Sequence, residues 1–336
     1  MSVSRTWVSV CVVMAGLLAG TAGAVNIEIV SVGNPGNAQD TRYGRNYTGN
    51  PNDPLGYGSV STTYNIGKYE VTNSQYAEFL NQIDPNGLNP YALYNTNMGS
   101  GYGGISFSSG ANPGSKYAIR SSRGNMPVNY VSFWDACRFA NWMNNGQGEG
   151  STETGVYSLN GVTNPPNNTI ARNPGAKVFI PSEDEWYKAA YYDPSKPGGG
   201  GYWDYPTQSN TAPKAEVPAG TDLINGSANY AGAVGDLTNV GSYTAKPSNS
   251  AYGTFDQGGN VWEWNEAVFD SLFRGLRGGS VPNGFGALRA SNRYSGGYDP
   301  TNEYYSVGFR VAEVPEPATM VMLALASVGI LRRKRA

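Results

Sequence analysis

The chain has no histidine and only two cysteines in 336 residues, and 14% of its side chains are charged. Without imidazole there is no Ser-His-Asp or Cys-His nucleophile, no histidine-held zinc or iron, and no imidazole acid or base. Any chemistry falls to carboxylates, tyrosine, lysine or a thiol. Cys11 lies in an apolar N-terminal stretch, so removal of that stretch leaves Cys137 alone and no intramolecular disulfide can form. A basic excess is missing too. Setting aside Arg5, the four basic residues at 332–335, Glu313 and Glu316 leaves 18 basic and 23 acidic side chains, which argues against nucleic-acid binding. Abundant instead are glycine (45), proline (21) and tyrosine (24), with 39% hydrophobic residues. That content buries a core in one large domain or two small ones and points to a loop-rich, extracellular style of domain.

Both ends read as addresses. Residues 1–24 begin with Arg5, run through an apolar stretch from Trp7 to Leu18 and finish in Ala22-Gly23-Ala24. This is the pattern of a secretory signal peptide cleaved near Ala24, the alternative being a retained N-terminal anchor. At the other end, Val314-Pro315-Glu316-Pro317 precedes an apolar run from Ala318 to Leu331 and then Arg332-Arg333-Lys334-Arg335. The run is short for a span, and its basic flank stays on the cytoplasmic side, so it holds the exported product at the inner membrane transiently. The tripartite pattern resembles the PEP-CTERM sorting signal of Gram-negative bacteria that make extracellular polysaccharide. That resemblance implies an exosortase-type sorting protease as partner and release to the cell surface or extracellular matrix. A plain C-terminal membrane anchor is the alternative.

Between the ends, residues 25–59 read as an irregular arm or an edge strand, and 60–312 as a single domain. Tyr64 to Val71 alternates like a strand, after which Thr72 and Gln75 form a capping box for a helix carrying Tyr76, Phe79 and Leu80. The same grammar recurs at Met126–Val131 followed by Ser132 and Asp135, with Ala136, Phe139, Ala140 and Met143 on one face. It recurs again at Lys177–Ile180 followed by Ser182 and Glu185. Beyond 191 the helix signals stop. Gly198 to Gly201 reads as a flexible run, and four strand-like pieces follow at Asn260–Trp264, Gly275–Val281, Ala287–Tyr294 and Ser306–Val311. The fold class is α+β, irregular and low in regular secondary structure.

Several segments resemble the formylglycine-generating enzyme and sulfatase-modifying-factor family: Gly67-Lys68-Tyr69-Glu70-Val71-Thr72-Asn73, Ile180-Pro181-Ser182-Glu183-Asp184-Glu185-Trp186, Gly259-Asn260-Val261-Trp262-Glu263-Trp264, Arg277-Gly278-Gly279-Ser280 and Gly308-Phe309-Arg310. The resemblance implies a C-type-lectin-related fold. In the active enzymes a cysteine pair just after the Gly-Gly-Ser strand binds copper(I) and oxidises a substrate cysteine; here those positions fall near Asn283 and Leu288, and neither supplies a thiolate. Copper is therefore not expected, and no catalytic residue is assigned. The histidine-ligated iron chemistry of the wider family has no ligand here either. Cys137 reads as a small buried apolar residue.

What the resemblance leaves intact is calcium. Its first site maps onto Asp256, Gly259, Val261 and Glu263, the second onto Asn229, Tyr230 and Asp236, oxygen-rich sets of the kind calcium takes. Trp262, Ser280, Asn283, Arg289 and Arg293 match or neighbour the family's active-site groove and form a candidate binding surface for a polysaccharide or a surface protein. Trp262 and Trp264 read as core aromatics more readily than as ligand platforms, and Arg277 and Arg310 as structural ion pairs. The expectation is an exported, non-catalytic, calcium-stabilised binding or structural module of the bacterial cell surface or exopolysaccharide matrix. An oxidoreductase converting cysteine to formylglycine at an atypical site is the alternative.

Overall fold

Three serine or threonine side chains start three helices among the described residues. Thr72 caps α1 (Asn73–Ile83), Ser132 caps α2 (Phe133–Asn144) and Ser182 caps α3 (Glu183–Tyr191), each closing a reciprocal capping box with Gln75, Asp135 and Glu185. The computed structural model describes residues 24–45, 50, 53–165, 168–246, 248–269, 272–294 and 298–315. The expected signal peptide up to residue 23 and the sorting tail from residue 316 lie outside them.

Two small sheets complete the frame. The first is antiparallel and runs in the order β1 (Ile29–Val32), β2 (Tyr64–Gly67), β7 (Ala312–Glu313), β3 (Val178–Phe179). β1 is thus an edge strand supplied by the arm, and β7, the last element before the tail, sits inside the sheet. The second sheet has β4 (Trp262–Val268) at its centre, antiparallel to β5 (Arg274–Arg277) and parallel to β6 (Val307–Gly308). The parallel pairing sets Trp262 beside Val307 and Glu263 beside Gly308. Gly308 has no spare room there, because a Cβ on it would meet the Val128 carbonyl oxygen at 2.5 Å.

The core lies between α1, α2 and the sheets and is largely aromatic. Phe79 meets Phe139 at 5.3 Å and Trp142 at 5.2 Å, and Phe139 meets Phe309 at 5.4 Å, in edge-on or tilted geometries. The sequence predicts one apolar face for α2, but the structure buries most of its circumference. The segment after the helix covers its polar side: Arg138 pairs with Glu153, and the Asn141 amide donates to the Thr152 and Tyr157 carbonyls. Buried polar groups with partners carry little desolvation penalty, so the helix is covered on both sides.

The strand expectations shrink in the structure. The Tyr64–Val71 alternation is a strand only to Gly67: the Lys68 N–H still reaches the Glu28 carbonyl across from it, and the chain bends at Lys68 and Tyr69. Met126–Val131 is not a strand: Thr72 and Pro127 form a single bridge, and Val128 donates to Val71. Ala287–Tyr294 holds the end of a 3₁₀ turn, Phe285–Leu288, rather than a strand. The glycine run ends in order, because Gly201–Tyr202 pairs with Tyr192–Asp193.

Candidate functional site

The segment Asp256–Trp264 threads the middle of the molecule, and its conformation is set by residues that accept positive φ. Asp256 and Asn260 sit at φ 59°, and Gly259 at φ 101°. At Gly259 a Cβ would meet the Asn229 carbonyl oxygen at 2.5 Å, so glycine is the residue that fits. Asn260 is a hub: its Oδ1 accepts from the Thr238 N–H at 3.0 Å, and its amide donates to Glu70 Oε1 at 3.3 Å.

Glu263, expected as a calcium ligand, is fully buried against Arg310. Arg310 Nε and Nη2 reach the two carboxylate oxygens at 2.5 and 2.6 Å, and Trp186 Nε1 donates to one of them at 2.7 Å. Asp256 accepts the Gly241 N–H at 2.6 Å. Burial pushes Asp256 up to about 6 and Glu70 well above the carboxylate range. With the guanidinium already supplying the positive charge, this segment as arranged does not fit calcium. In the second set, Asp236 turns its carboxylate to Arg123, at 2.5 and 3.2 Å, and Tyr230 donates to the Pro213 carbonyl. One buried oxygen there, Asn229 Oδ1, has no hydrogen-bond partner and is open to a hard cation. Among the described residues no group of three carboxylates or cysteines converges as a metal site.

Three of the five expected ligand residues do come together. Trp262, Ser280 and Asn283 line a cleft of about 220 Å³, with Leu276, Pro282, Ser306 and Val307. Four tyrosines that the sequence reading did not single out, Tyr294, Tyr298, Tyr304 and Tyr305, form much of its wall. Asn283 Oδ1 accepts from both the Ser280 N–H and its hydroxyl, at 3.0 and 2.7 Å, which holds the turn after β5. The remaining two expected residues belong elsewhere. Arg289 pairs with Asp204, and Arg293 is shared between Asp53 and Glu183. Both guanidiniums are engaged by carboxylates, and neither residue lines the cleft.

At the positions matching the copper-binding pair, the amide of Asn283 borders the cleft, while Leu288 is buried with Tyr205, Ala228 and Tyr230. Cys137 is fully buried on α2, and burial pushes its thiol well above the usual range. The expected structural ion pairs are present as Arg277 with Glu183 and Arg310 with Glu263. Among the described residues no helix is long and apolar enough to cross a membrane.

A family model described as the sulfatase-modifying factor enzyme 1-like domain matches residues 30–314, and a PEP-CTERM protein-sorting motif matches residues 313–335. The sorting motif directs an exported protein to the cell surface through the exosortase machinery. Among solved structures, Treponema denticola variable protein 1 is 20% identical over 88% of this chain and 98% of its own, with a TM-score of 0.51. CarF is 21% identical, covering 87% and 99%, at 0.48, and PvdO from Pseudomonas aeruginosa is 17% identical, covering 86% and 92%, at 0.45. The likeness to the first of these speaks to fold alone. No curated protein matches the chain.

Proposed function

The chain belongs to the sulfatase-modifying factor enzyme 1-like family, and we propose that it is a non-catalytic member, a binding module of the bacterial cell surface or exopolysaccharide matrix. The observation that carries this reading is the replacement of the two thiol positions by Asn283, which borders an open cleft walled by tyrosine and tryptophan, and by the buried Leu288. A surface lacking thiolates cannot hold copper(I) as the active enzymes do, whereas planar rings with free amide and hydroxyl groups suit reversible recognition. The sorting motif supports the address, and a C-type-lectin-related fold suits the role.

Calcium belongs to this proposal as a stabiliser rather than a bridge to ligand. The unpartnered Asn229 Oδ1 supports it, and the carboxylates of Asp236 and Glu263, already held by arginines, limit it. The test is binding of the purified protein to an array of bacterial polysaccharides and surface proteins, with calcium and with a chelator, alongside copper loading and oxygen uptake with a cysteine peptide. Saturable binding without turnover is expected. Stoichiometric copper together with oxygen consumption would overturn the reading.

A further inference from the structure

We infer that the cleft recognises a neutral saccharide, by stacking on its tyrosine wall and by hydrogen bonds from Asn283 and Ser306; this rests on the reading of the cleft as a binding site. The first observation is charge. No described residue lining the cleft is charged, and the charged groups around it have partners of their own. Glu303, next to Tyr304, accepts from Asn95. Arg123, which donates to the Tyr102 carbonyl, pairs with Asp236. Arg293, next to Tyr294, pairs with Asp53 and Glu183. A uronate or sulfate would leave water for a site with no cation to receive it, and an ammonium would find no carboxylate.

The second observation is the wall. Trp262 and Tyr294 meet at 5.3 Å and 77°, Tyr294 and Tyr298 at 5.6 Å and 86°, and Tyr298 and Tyr304 at 5.5 Å and 72°. Successive rings stand nearly perpendicular, so the wall turns corners and offers faces in more than one direction. Tyr294 is 38% exposed and Tyr304 50%. The C–H faces of a pyranose are apolar and flat enough to lie on such rings, while its hydroxyls need donors and acceptors at the edge. Those are present. Asn283 spends its Oδ1 on Ser280, and its amide hydrogens and the Ser306 hydroxyl make no hydrogen bond with the described residues.

Titration calorimetry of the purified protein with glucan, mannan and galactan oligosaccharides, against polyuronate and sulfated oligosaccharides of equal length, tests this. The neutral set is expected to bind, with an affinity insensitive to salt and to chelator. Tyr304→Ala is expected to weaken binding roughly tenfold, the worth of one stacked ring. Asn283→Asp keeps the acceptor for Ser280 but replaces the free donors with a charge, and is expected to abolish neutral binding while the fold, followed by near-ultraviolet dichroism, is unchanged. Preference for the anionic set with strong salt dependence would overturn the inference. So would binding of a quaternary ammonium compound that competes for the cleft. If either of those is weakened by Tyr304→Ala, the proposed function stands without the neutral-sugar assignment. Neutral binding indifferent to both variants would put the ligand elsewhere and overturn it as well. No binding by any glycan or surface protein would remove both.

Discussion

Arg310 and Glu263 meet side by side, two guanidinium nitrogens on two carboxylate oxygens at 2.5 and 2.6 Å, and neither side chain touches solvent. Arg310 also donates to the Gly67 and Phe255 carbonyls. It thereby joins β4, whose Trp262 lines the cleft, to the end of β2 and the approach to Asp256. Removing one partner strands the other charge in the interior, which costs about 3–5 kcal/mol. Arg310→Ala is therefore expected to lower the denaturation free energy by that amount or to prevent folding, and urea denaturation checks it. A loss below about 1 kcal/mol would mean the pair is replaceable by water.

A second expectation concerns pH. Asp135, the capping carboxylate of α2, is pushed up to about 7 by burial and by Glu303, against the lowering effect of its Ser132 bonds and Arg138. Burial also raises Glu303, while its bonds to Asn95 and Asp135 lower it. The folded protein thus holds protons that the unfolded chain has released by about pH 5. Stability from these groups is present at acid pH and falls as pH rises through about 7. Asp256, raised to about 6, and Glu70 work in the same direction. Urea midpoints are expected to fall between about pH 5 and pH 8, and Glu303→Gln to flatten that slope. A midpoint that rises across the window would contradict this.

Cys137 is expected to be inert. Its thiol is buried and held in the neutral form by burial, and the thiolate is the reactive species. A thiol reagent should label the native protein only on the timescale of unfolding and label it fully in denaturant. Rapid native labelling would show an accessible thiolate and reopen the question of metal chemistry.

The helix starts are separable. Ser182→Ala is expected to cost about 1 kcal/mol, the usual worth of a cap, because its hydroxyl accepts the Glu185 N–H at 3.1 Å. Equilibrium unfolding measures it, and no change would mean water takes the vacated position.

These caps were the most legible part of the chain, since each capping box needs two residues three places apart and the structure forms all three. The cleft was half legible. Trp262, Ser280 and Asn283 lie in or beside motifs, but Tyr294, Tyr298, Tyr304 and Tyr305 lie largely in irregular segments where no periodicity marks a face. Arg289 and Arg293 read as donors because of their position after the Gly-Gly-Ser strand. Their partners lie 85 positions away at Asp204, 110 at Glu183 and 240 at Asp53, separations that spacing does not reveal. The engagement of Glu263 by Arg310 is likewise tertiary, across 47 positions.

In the proposed function the exported protein meets its ligand at this cleft rather than at a thiol site. Hydrogen–deuterium exchange of the purified protein, with and without the extracellular polysaccharide of its own culture, tests it most directly. Slowed exchange is expected to be confined to the cleft's backbone at Ser280–Asn283 and Tyr304–Val307 and to be lost in Tyr304→Ala. Protection confined to another face, or none at saturating polysaccharide and surface-protein extract alike, would contradict it.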